Sequence, residues 1–396
     1  MENAQTSAVP ACILCVSDLF WEEHWSSEQQ LMSRFAEHCR VLYVERPVSV
    51  LSSFTGTSDA SVSRQFWRWL KGGIRVERKN LFILTPPPFF PLRYHPVINR
   101  INQWIRLGSI RRATAKLGMK NPILWIYEPD GYPLVGKLNE VLSLYYCADD
   151  WSTSNQWWNR GEDIRRLETR LAASVDIVIG TSTKIAEKWT PINPHTHFIP
   201  NAADVEMFLR ARTADLNVPE EVMHIPLPRI GYVGVVNARF DVGLYDQLSE
   251  MRPDWHWVIV GPVLTRQVDV SRLMKKPNVH FLGARPRDSL PAYLKGFDVC
   301  TVPYICNTYT QSIFPLKLFE YLAAGRPVVA TPLPELLPYT QYVRIAGTPQ
   351  EFVAHVSELL GTRPQPAPRE FLEQNSWDAR AKALLKLLTE ACSPRV

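Results

Sequence analysis

Short continuous apolar runs recur along the chain, and between them apolar residues return at helical spacing. In the first half the runs fall at 12–16 (CILCV), 41–44 (VLYV), 81–84 (LFIL), 123–127 (ILWIY), 141–146 (VLSLYY) and 175–179 (VDIVI). Helix-period stretches lie between several of them: Glu28 to Cys39, Val97 to Leu117 and Asp163 to Ala173. Strands apolar on both faces, alternating with amphipathic helices, predict a parallel sheet covered on both sides.

The pattern then restarts. After Asn201-Ala-Ala-Asp204 comes a weakly patterned stretch to about 228, carrying Pro219, Pro226 and Pro228. New strands are predicted at 229–234, 257–260 (WVIV), 279–282 (VHFL), 298–302 (DVCTV), 327–330 (PVVA) and 342–345 (YVRI), again with helices between. A chain of 396 residues exceeds one ordinary core. The reading is therefore an α/β protein of two doubly wound, Rossmann-like domains: 1–205, 206–375, and a last helical stretch, 376–396, reaching back over the first domain past the break at 364–368 (PQPAP). Two such sheets facing each other place their ligand-binding strand ends across one cleft.

Seven cysteines, an odd number, sit mostly inside apolar runs and read as reduced core residues. The start, Met1 to Ser7, lacks the basic residues of a secretory signal, and no run of 18 apolar residues occurs. A cytoplasmic chain with only peripheral membrane contact is expected.

The most informative segment is Phe314 to Thr331 (FPLKLFEYLAAGRPVVAT). Pro315 suits a first helical position and Gly325 a helix end, so a helix is predicted over about 315–324. Its N-terminus offers unpaired N–H groups to a diphosphate. Lys317 lies in the first turn and Glu320 one turn on: a cation for phosphate, and a carboxylate to accept the two hydroxyls of a ribose. The same pair reads equally as a surface ion pair at i, i+3.

This segment resembles the signature helix of GT-B fold glycosyltransferases, particularly the large bacterial family 4 and its relatives that build exopolysaccharide and teichuronic acid. The resemblance runs through Ile179-Gly-Thr-Ser182, Phe198-Ile-Pro-Asn-Ala-Ala-Asp204, Arg229-Ile-Gly-Tyr-Val-Gly234, Trp257-Val-Ile-Val-Gly261, Asn278-Val-His-Phe-Leu-Gly283, Leu290-Pro-Ala-Tyr-Leu294 and Asp298-Val-Cys-Thr-Val-Pro303, in the family's order. It implies that Gly231 and Gly234 let the backbone approach the donor's diphosphate. It implies that Lys317, helped by Arg239, neutralises the leaving nucleoside diphosphate, with no metal or other cofactor. Gly283 and Arg285 match the position that contacts the base, although Arg285 reads equally as an ordinary surface arginine. No D-x-D occurs, and Glu128-Pro-Asp130 reads as a loop start. One position departs from the family: the first glutamate of E-x7-E is Ser312 here, which leaves the donor sugar to the main chain of 311–314 with Gln311 or Ser312.

Two loops at strand ends in the first domain carry candidate chemistry. Tyr145-Tyr-Cys-Ala-Asp-Asp-Trp-Ser152 resembles the family's D-D-x-S turn and makes Asp150 or Asp149 the candidate base; adjacent carboxylates repel, which raises one of them. Both also read as helix caps. Glu22 and His24, in the loop after the first strand, are weaker candidates, and Trp151, Trp157 and Trp158 could stack on sugars.

The net charge of +5 hides an asymmetry. Residues 61–120 hold 13 basic residues and one acid, Glu77, for +12, which leaves −7 for the rest. Aromatic residues interleave with the charge in Gln65-Phe-Trp-Arg-Trp-Leu-Lys71. That pattern fits an anionic membrane surface. No nucleic-acid motif accompanies it, and a solvated basic face is the bland alternative. The whole reading is a glycosyltransferase, peripheral on the inner membrane. It moves a sugar from a nucleoside-diphosphate sugar, UDP favoured, to a lipid-linked or polysaccharide acceptor, with retention of configuration implied by the resemblance. The alternatives are a nucleotide-sugar 2-epimerase and a non-catalytic nucleotide-sugar-binding protein.

Overall fold

The structure, a computed structural model, describes residues 11–23, 25–49, 60–91, 95–153, 161–362 and 364–392. Strands β1 (Cys12–Val16), β2 (Arg40–Val44), β3 (Ile74–Arg78), β4 (Leu81–Leu84), β5 (Ile123–Ile126), β6 (Leu142–Cys147), β7 (Ile177–Gly180) and β8 (Thr196–Phe198) form one sheet, in the order β3-β4-β2-β1-β5-β6-β7-β8. Strands β9 (Arg229–Val233), β10 (His256–Val260), β11 (Val279–Gly283), β12 (Val299–Val302), β13 (Val328–Ala330) and β14 (Val343–Ile345) form the second, in the order β11-β10-β9-β12-β13-β14. Every pairing is parallel except β3 with β4. Every residue of β1, β5 and β6 is buried, which is why these strands read as unbroken apolar runs.

Helices cover both faces of the first sheet. On one side Leu31, Met32 and Phe35 of the helix Ser27–Phe35 pack with Trp125 and Tyr146; on the other, Ile110, Leu171 and Trp189 close the core. The last helix, Trp377–Cys392, belongs to the first of these layers through Trp377, Leu384 and Leu388. It is fastened where the chain crosses back. Ala203 N donates to Asn375 O at 3.1 Å and Trp377 N donates to Ala203 O at 3.0 Å. Arg34 forks onto Asp378 at 2.9 and 3.1 Å.

Two strands lie outside the sequence-based expectation. β3 alternates apolar with charged residues and pairs antiparallel to β4 across a turn in which Asn80 takes φ 64°. Its charges mark an edge strand that does not invite further pairing. β8 is only three residues long.

The basic segment is also less outward-facing than its total implies. Arg64 and Arg68 pair with Glu22, Arg75 with Glu45 and Arg106 with Glu128. Three carboxylates from outside the segment pair with four of its arginines, which lowers the local charge from +12 to +9.

The strand order reverses between β1 and β5 in one sheet and between β9 and β12 in the other. The carboxyl ends of these strands are therefore where ligands are expected.

Candidate functional site

The second sheet's switch point is built by one short helix, Lys317–Ala323. It begins two residues later than the sequence predicts, with Pro315 and Leu316 forming its lead-in. Tyr321 clamps it to the end of β9: Val233 N donates to Tyr321 Oη at 2.9 Å, and Tyr321 Oη donates to Val233 O at 3.2 Å. At its other end Arg212 donates to the carbonyls of Ala323 and Leu322 at 2.7 and 2.6 Å, satisfying groups the helix leaves open. Helix and strand are thus one rigid unit.

This clamp brings Lys317 over the glycine after β9. Gly234 takes φ 148°, and a Cβ there would lie 2.2 Å from Lys317 Cε and 2.5 Å from Nζ. Only a glycine leaves the ammonium this place. Lys317 Nζ lies 3.1 Å from the Tyr304 hydroxyl, and no carboxylate among the described residues pairs with it. The Glu320 carboxylate, partly buried one turn on, likewise makes no hydrogen bond or ion pair among the described residues. Burial raises its pKa; the charges of Lys317 and Arg287 oppose the rise and Asp204 adds to it. The i, i+3 pair read from the sequence as a possible surface salt bridge is therefore not one. The two charges are separate and open.

Arg239 adds a second cation, partly buried, on the loop after β9. That loop pairs with the chain leaving β12: Asp241 N donates to Pro303 O and Ile305 N to Arg239 O, both at 2.8 Å. Burial works against the Arg239 charge, but Tyr309, Asp149, Tyr304 and Tyr232 hold its proton more firmly than usual. Asp149 is the only first-domain group in that set.

Other predicted donor residues have different surroundings. Gly231 is in the middle of β9, and a Cβ there would lie 1.9 Å from the Phe297 ring, so its glycine serves core packing and not the diphosphate. Arg285 is engaged elsewhere: its guanidinium grips Glu221 at 2.9 and 2.6 Å and the Tyr293 hydroxyl at 2.7 Å. Glu221, on a short helix no sequence pattern marked, is the reason. Gly283 ends β11 with φ 74°, and its carbonyl accepts from Gly261 N at 2.8 Å. Ser312 is 1% exposed and its hydroxyl has no hydrogen-bond partner among the described residues.

Across the cleft, the two adjacent aspartates separate sharply. Asp150 accepts from Lys188 Nζ and from Ser152 Oγ, both at 2.7 Å. Although burial opposes it, Lys188 holds its carboxyl below the usual range. Asp149 is raised by burial, with Arg239 pulling down and Asp18 and Asp150 pushing up. Of the two candidates, Asp149 has the raised affinity for a proton, and its carboxylate makes no ion pair among the described residues. His24, Trp157 and Trp158 lie outside the described residues, and Glu22 is held by Arg64 and Arg68.

Sequence reasoning missed a group of acids around Asp18, which itself acts on Asp149. Asp18 follows β1, and Glu28 opens the next helix. Glu28 accepts from Ser17 and from the Tyr43 hydroxyl at 2.9 Å, and burial followed by Asp18 raises it well. Glu128, which follows β5, is pushed up to about 7, first by burial, with Arg106 opposing. Asp18 and Glu128 each follow the carboxyl end of a parallel strand, but a lone acid in a loop gives no sequence signal for that convergence.

Polar contacts join the two halves among the described residues, including Arg287 to Asp204 at 2.7 Å. Glu335 Oε1 accepts from Thr183 N at 2.7 Å and Thr183 Oγ1 at 2.6 Å. Lys184 Nζ donates to Gln311 at 3.0 Å and Asn201 Nδ2 to the Phe314 carbonyl at 3.1 Å. The Arg287 guanidinium lies 4.8 Å over the Trp25 ring.

Two Rossmann-like sheets facing across a cleft, with an open cation and carboxylate on one wall and acids on the other, define the GT-B fold. Comparison with known proteins agrees. The family described as Glycosyl transferases group 1 matches residues 228–362. The "Putative teichuronic acid biosynthesis glycosyltransferase TuaH" of Bacillus subtilis (strain 168) is 30% identical over 255 residues, which cover 60% of this chain and 63% of that relative's length. Among solved structures, sucrose-phosphate synthase from Thermosynechococcus elongatus superposes with a TM-score of 0.67 at 16% identity, covering 96% of this chain and 98% of that one. Anabaena Alr3699/HepE in complex with UDP and glucose gives 0.64 at 12% identity, covering 96% and 99%. The α,α-trehalose 6-phosphate synthase from Burkholderia multivorans gives 0.65 at 12%, covering 97% and 100%. The chain has the GT-B fold seen in these glycosyltransferases, and its residues 228–362 match the group 1 family.

Proposed function

We propose that the protein transfers a sugar from a nucleoside-diphosphate sugar, UDP favoured, to a lipid-linked or polysaccharide acceptor. The observation that carries this is the pair of charges on one clamped helix: the Lys317 ammonium over Gly234 and the Glu320 carboxylate, which has no partner among the described residues. UDP is favoured because the structural relative Alr3699/HepE is described in complex with UDP and glucose.

In the proposed reaction the bond between the sugar's anomeric carbon and the diphosphate oxygen breaks, and the electron pair stays on the diphosphate. Lys317 and Arg239 meet that charge in a partly buried site, where fixed cations act more strongly than in water. No metal is needed for that charge neutralisation. The acceptor hydroxyl bonds to the anomeric carbon and its proton passes to Asp149. Glu320 accepts hydrogen bonds from the ribose hydroxyls. Main-chain groups of 311–314 and Gln311 or Ser312 hold the sugar, and the backbone at Gly283 the base.

An acceptor anchored in lipid would bring the first domain to a membrane. Of the seventeen large apolar residues exposed among those described, seven lie between Trp67 and Trp104. Trp67 is 62% exposed and Trp104 75%, and Val97, Ile101 and Trp104 share one helix face at i, i+4 and i+7. Lys71, Lys79, Arg100 and Arg112 are nearby in sequence and form no ion pair among the described residues. Apolar anchors flanked by free cations suit the anionic inner leaflet. No described helix is long and apolar enough to cross a membrane.

The test is a panel of UDP-, GDP- and other nucleotide sugars, read by release of free nucleotide. Release from UDP-sugars, increased by a lipid-linked acceptor, supports the proposal. Release from none of them removes it, and conversion of the sugar without any acceptor would mark a 2-epimerase.

A further inference from the structure

We infer that Tyr304 is the positioning residue of the leaving-group cation: its phenol oxygen holds the Lys317 ammonium over Gly234, aimed at the diphosphate. The inference rests on the donor-site reading above and adds to it a residue that no motif marked.

Three observations bear on it. Tyr304 is the second residue after β12, 5% exposed, and its hydroxyl is 3.1 Å from Lys317 Nζ. The Lys317 ammonium also lies 5.4 Å from the Tyr232 ring centroid, so a second aromatic ring flanks it. The backbone around Tyr304 is paired to the Arg239 loop through an antiparallel bridge between Phe240 and Tyr304. One residue therefore locates both cations, Lys317 through its phenol and Arg239 through its main chain.

The chemistry follows from the donor count. An ammonium has three N–H groups. One directed at the Tyr304 oxygen leaves two for phosphate oxygens. The phenol keeps the side chain from wandering through its rotamers between turnovers, which lowers the ordering cost of each binding event. No carboxylate among the described residues does this job. A carboxylate would compete with the diphosphate for the same cation, whereas a neutral phenol holds Lys317 without cancelling it.

The groups facing Tyr304 are Lys317, Arg239 and Tyr232, and the groove on its other side also carries Asp241 and Cys306. Burial raises the phenol's pKa, but Lys317 and then Arg239 outweigh it, and the net shift is downward. Ionised, Tyr304 would claim Lys317 and repel the diphosphate. UDP binding should therefore weaken as the pH rises through a value below the ordinary tyrosine range of about 10.

The experiment uses the full chain and UDP, titrated by calorimetry across the alkaline range for wild type, Tyr304→Phe, Lys317→Met and the double variant. The expected result is about a 10-fold loss of affinity in Y304F at neutral pH. The wild type's alkaline fall should move to higher pH in that variant, and Y304F should add nothing in the K317M background. Wild-type protein alone supplies a further arm: UDP should shift the ionisation of one tyrosine upward, read as tyrosinate absorbance. Unchanged affinity and pH profile in Y304F, an equal loss in the K317M background, or no UDP-linked tyrosine shift overturns the proposal while leaving the donor site intact. Failure of the wild-type chain to bind UDP or any other nucleoside diphosphate overturns the donor-site reading, and this proposal with it.

Discussion

Lys188 Nζ lies 2.7 Å from the Asp150 carboxylate and 3.2 Å from that of Glu168, so one ammonium serves a partly buried acid and a fully buried one. Asp150 is thereby bound into the scaffold, whereas Asp149 makes no ion pair among the described residues and feels the charge of Arg239 from the second domain. The two aspartates should behave as different kinds of residue. Asp149→Asn is expected to lower kcat about 10²- to 10⁴-fold, the usual loss of a general base, with UDP affinity unchanged. Asp150→Asn should retain most turnover and lose about 1–3 kcal/mol of stability, the effect of removing a charged hydrogen-bond partner. Steady-state kinetics and urea unfolding on the same two variants separate these outcomes.

Removing the ammonium acts on both acids. Lys188→Met leaves the partly buried Asp150 carboxylate without its cation and drives Glu168 to take up a proton, expected to cost about 1–3 kcal/mol at neutral pH. The pH dependence has two opposite parts. Asp150, depressed in the folded state, contributes stability that is present above its unfolded pKa and lost as pH falls through its folded one. Glu168, pushed up to about 7 mainly by burial, binds its proton more tightly when folded, so stability falls as pH rises from about 4.5 towards 7. In Lys188→Met the first part disappears and the second grows, and the variant should be more stable near pH 5 than near pH 7. Urea midpoints across that range give the sign directly.

Glycines 231 and 234, three residues apart, are expected to fail differently. Gly231→Ala drives a methyl into the Phe297 ring and should destabilise the fold by about 1–3 kcal/mol, as overpacking does, with residual folded protein still binding UDP. Gly234→Ala places its methyl on the Lys317 side chain and should weaken UDP binding about 10-fold or more through that displacement. Melting curves and UDP titration on both variants test the contrast.

What was legible in the sequence and what was not follows from how each feature is encoded. β1, β5 and β6 are buried on both faces and announce themselves as apolar runs, and the Pro315 to Gly325 frame located the helix that carries Lys317 and Glu320. β3 was hidden because an exposed edge strand with charges at alternate positions looks like surface. Asp149 and Asp150 were both legible as acids after a strand, yet their division of roles depends on Lys188, 38 residues away. Tyr304, Tyr321 and Glu221 were invisible for the same reason: each acts through one long-range contact, and no periodicity records such a contact.

The membrane surface makes its own prediction. Trp67→Ser with Trp104→Ser removes two exposed aromatic anchors without changing charge. Flotation with phosphatidylglycerol-containing vesicles should fall several-fold in this double variant, and wild-type binding should fall with salt, because exposed charges are screened within about 8 Å at 0.15 M. Equal recovery on neutral and anionic vesicles at low salt would argue against an electrostatic contribution.

The donor site is the centre of the account, and calorimetric titration of the full chain with UDP and 2′-deoxy-UDP, against wild type and Glu320→Ala, tests it most directly. Wild type should bind UDP about 10- to 100-fold more tightly than E320A, the range for a charge-assisted hydrogen bond, and the advantage of UDP over the deoxy compound should vanish in E320A. UDP binding that is absent from the wild type, or equally tight in E320A, would contradict the account.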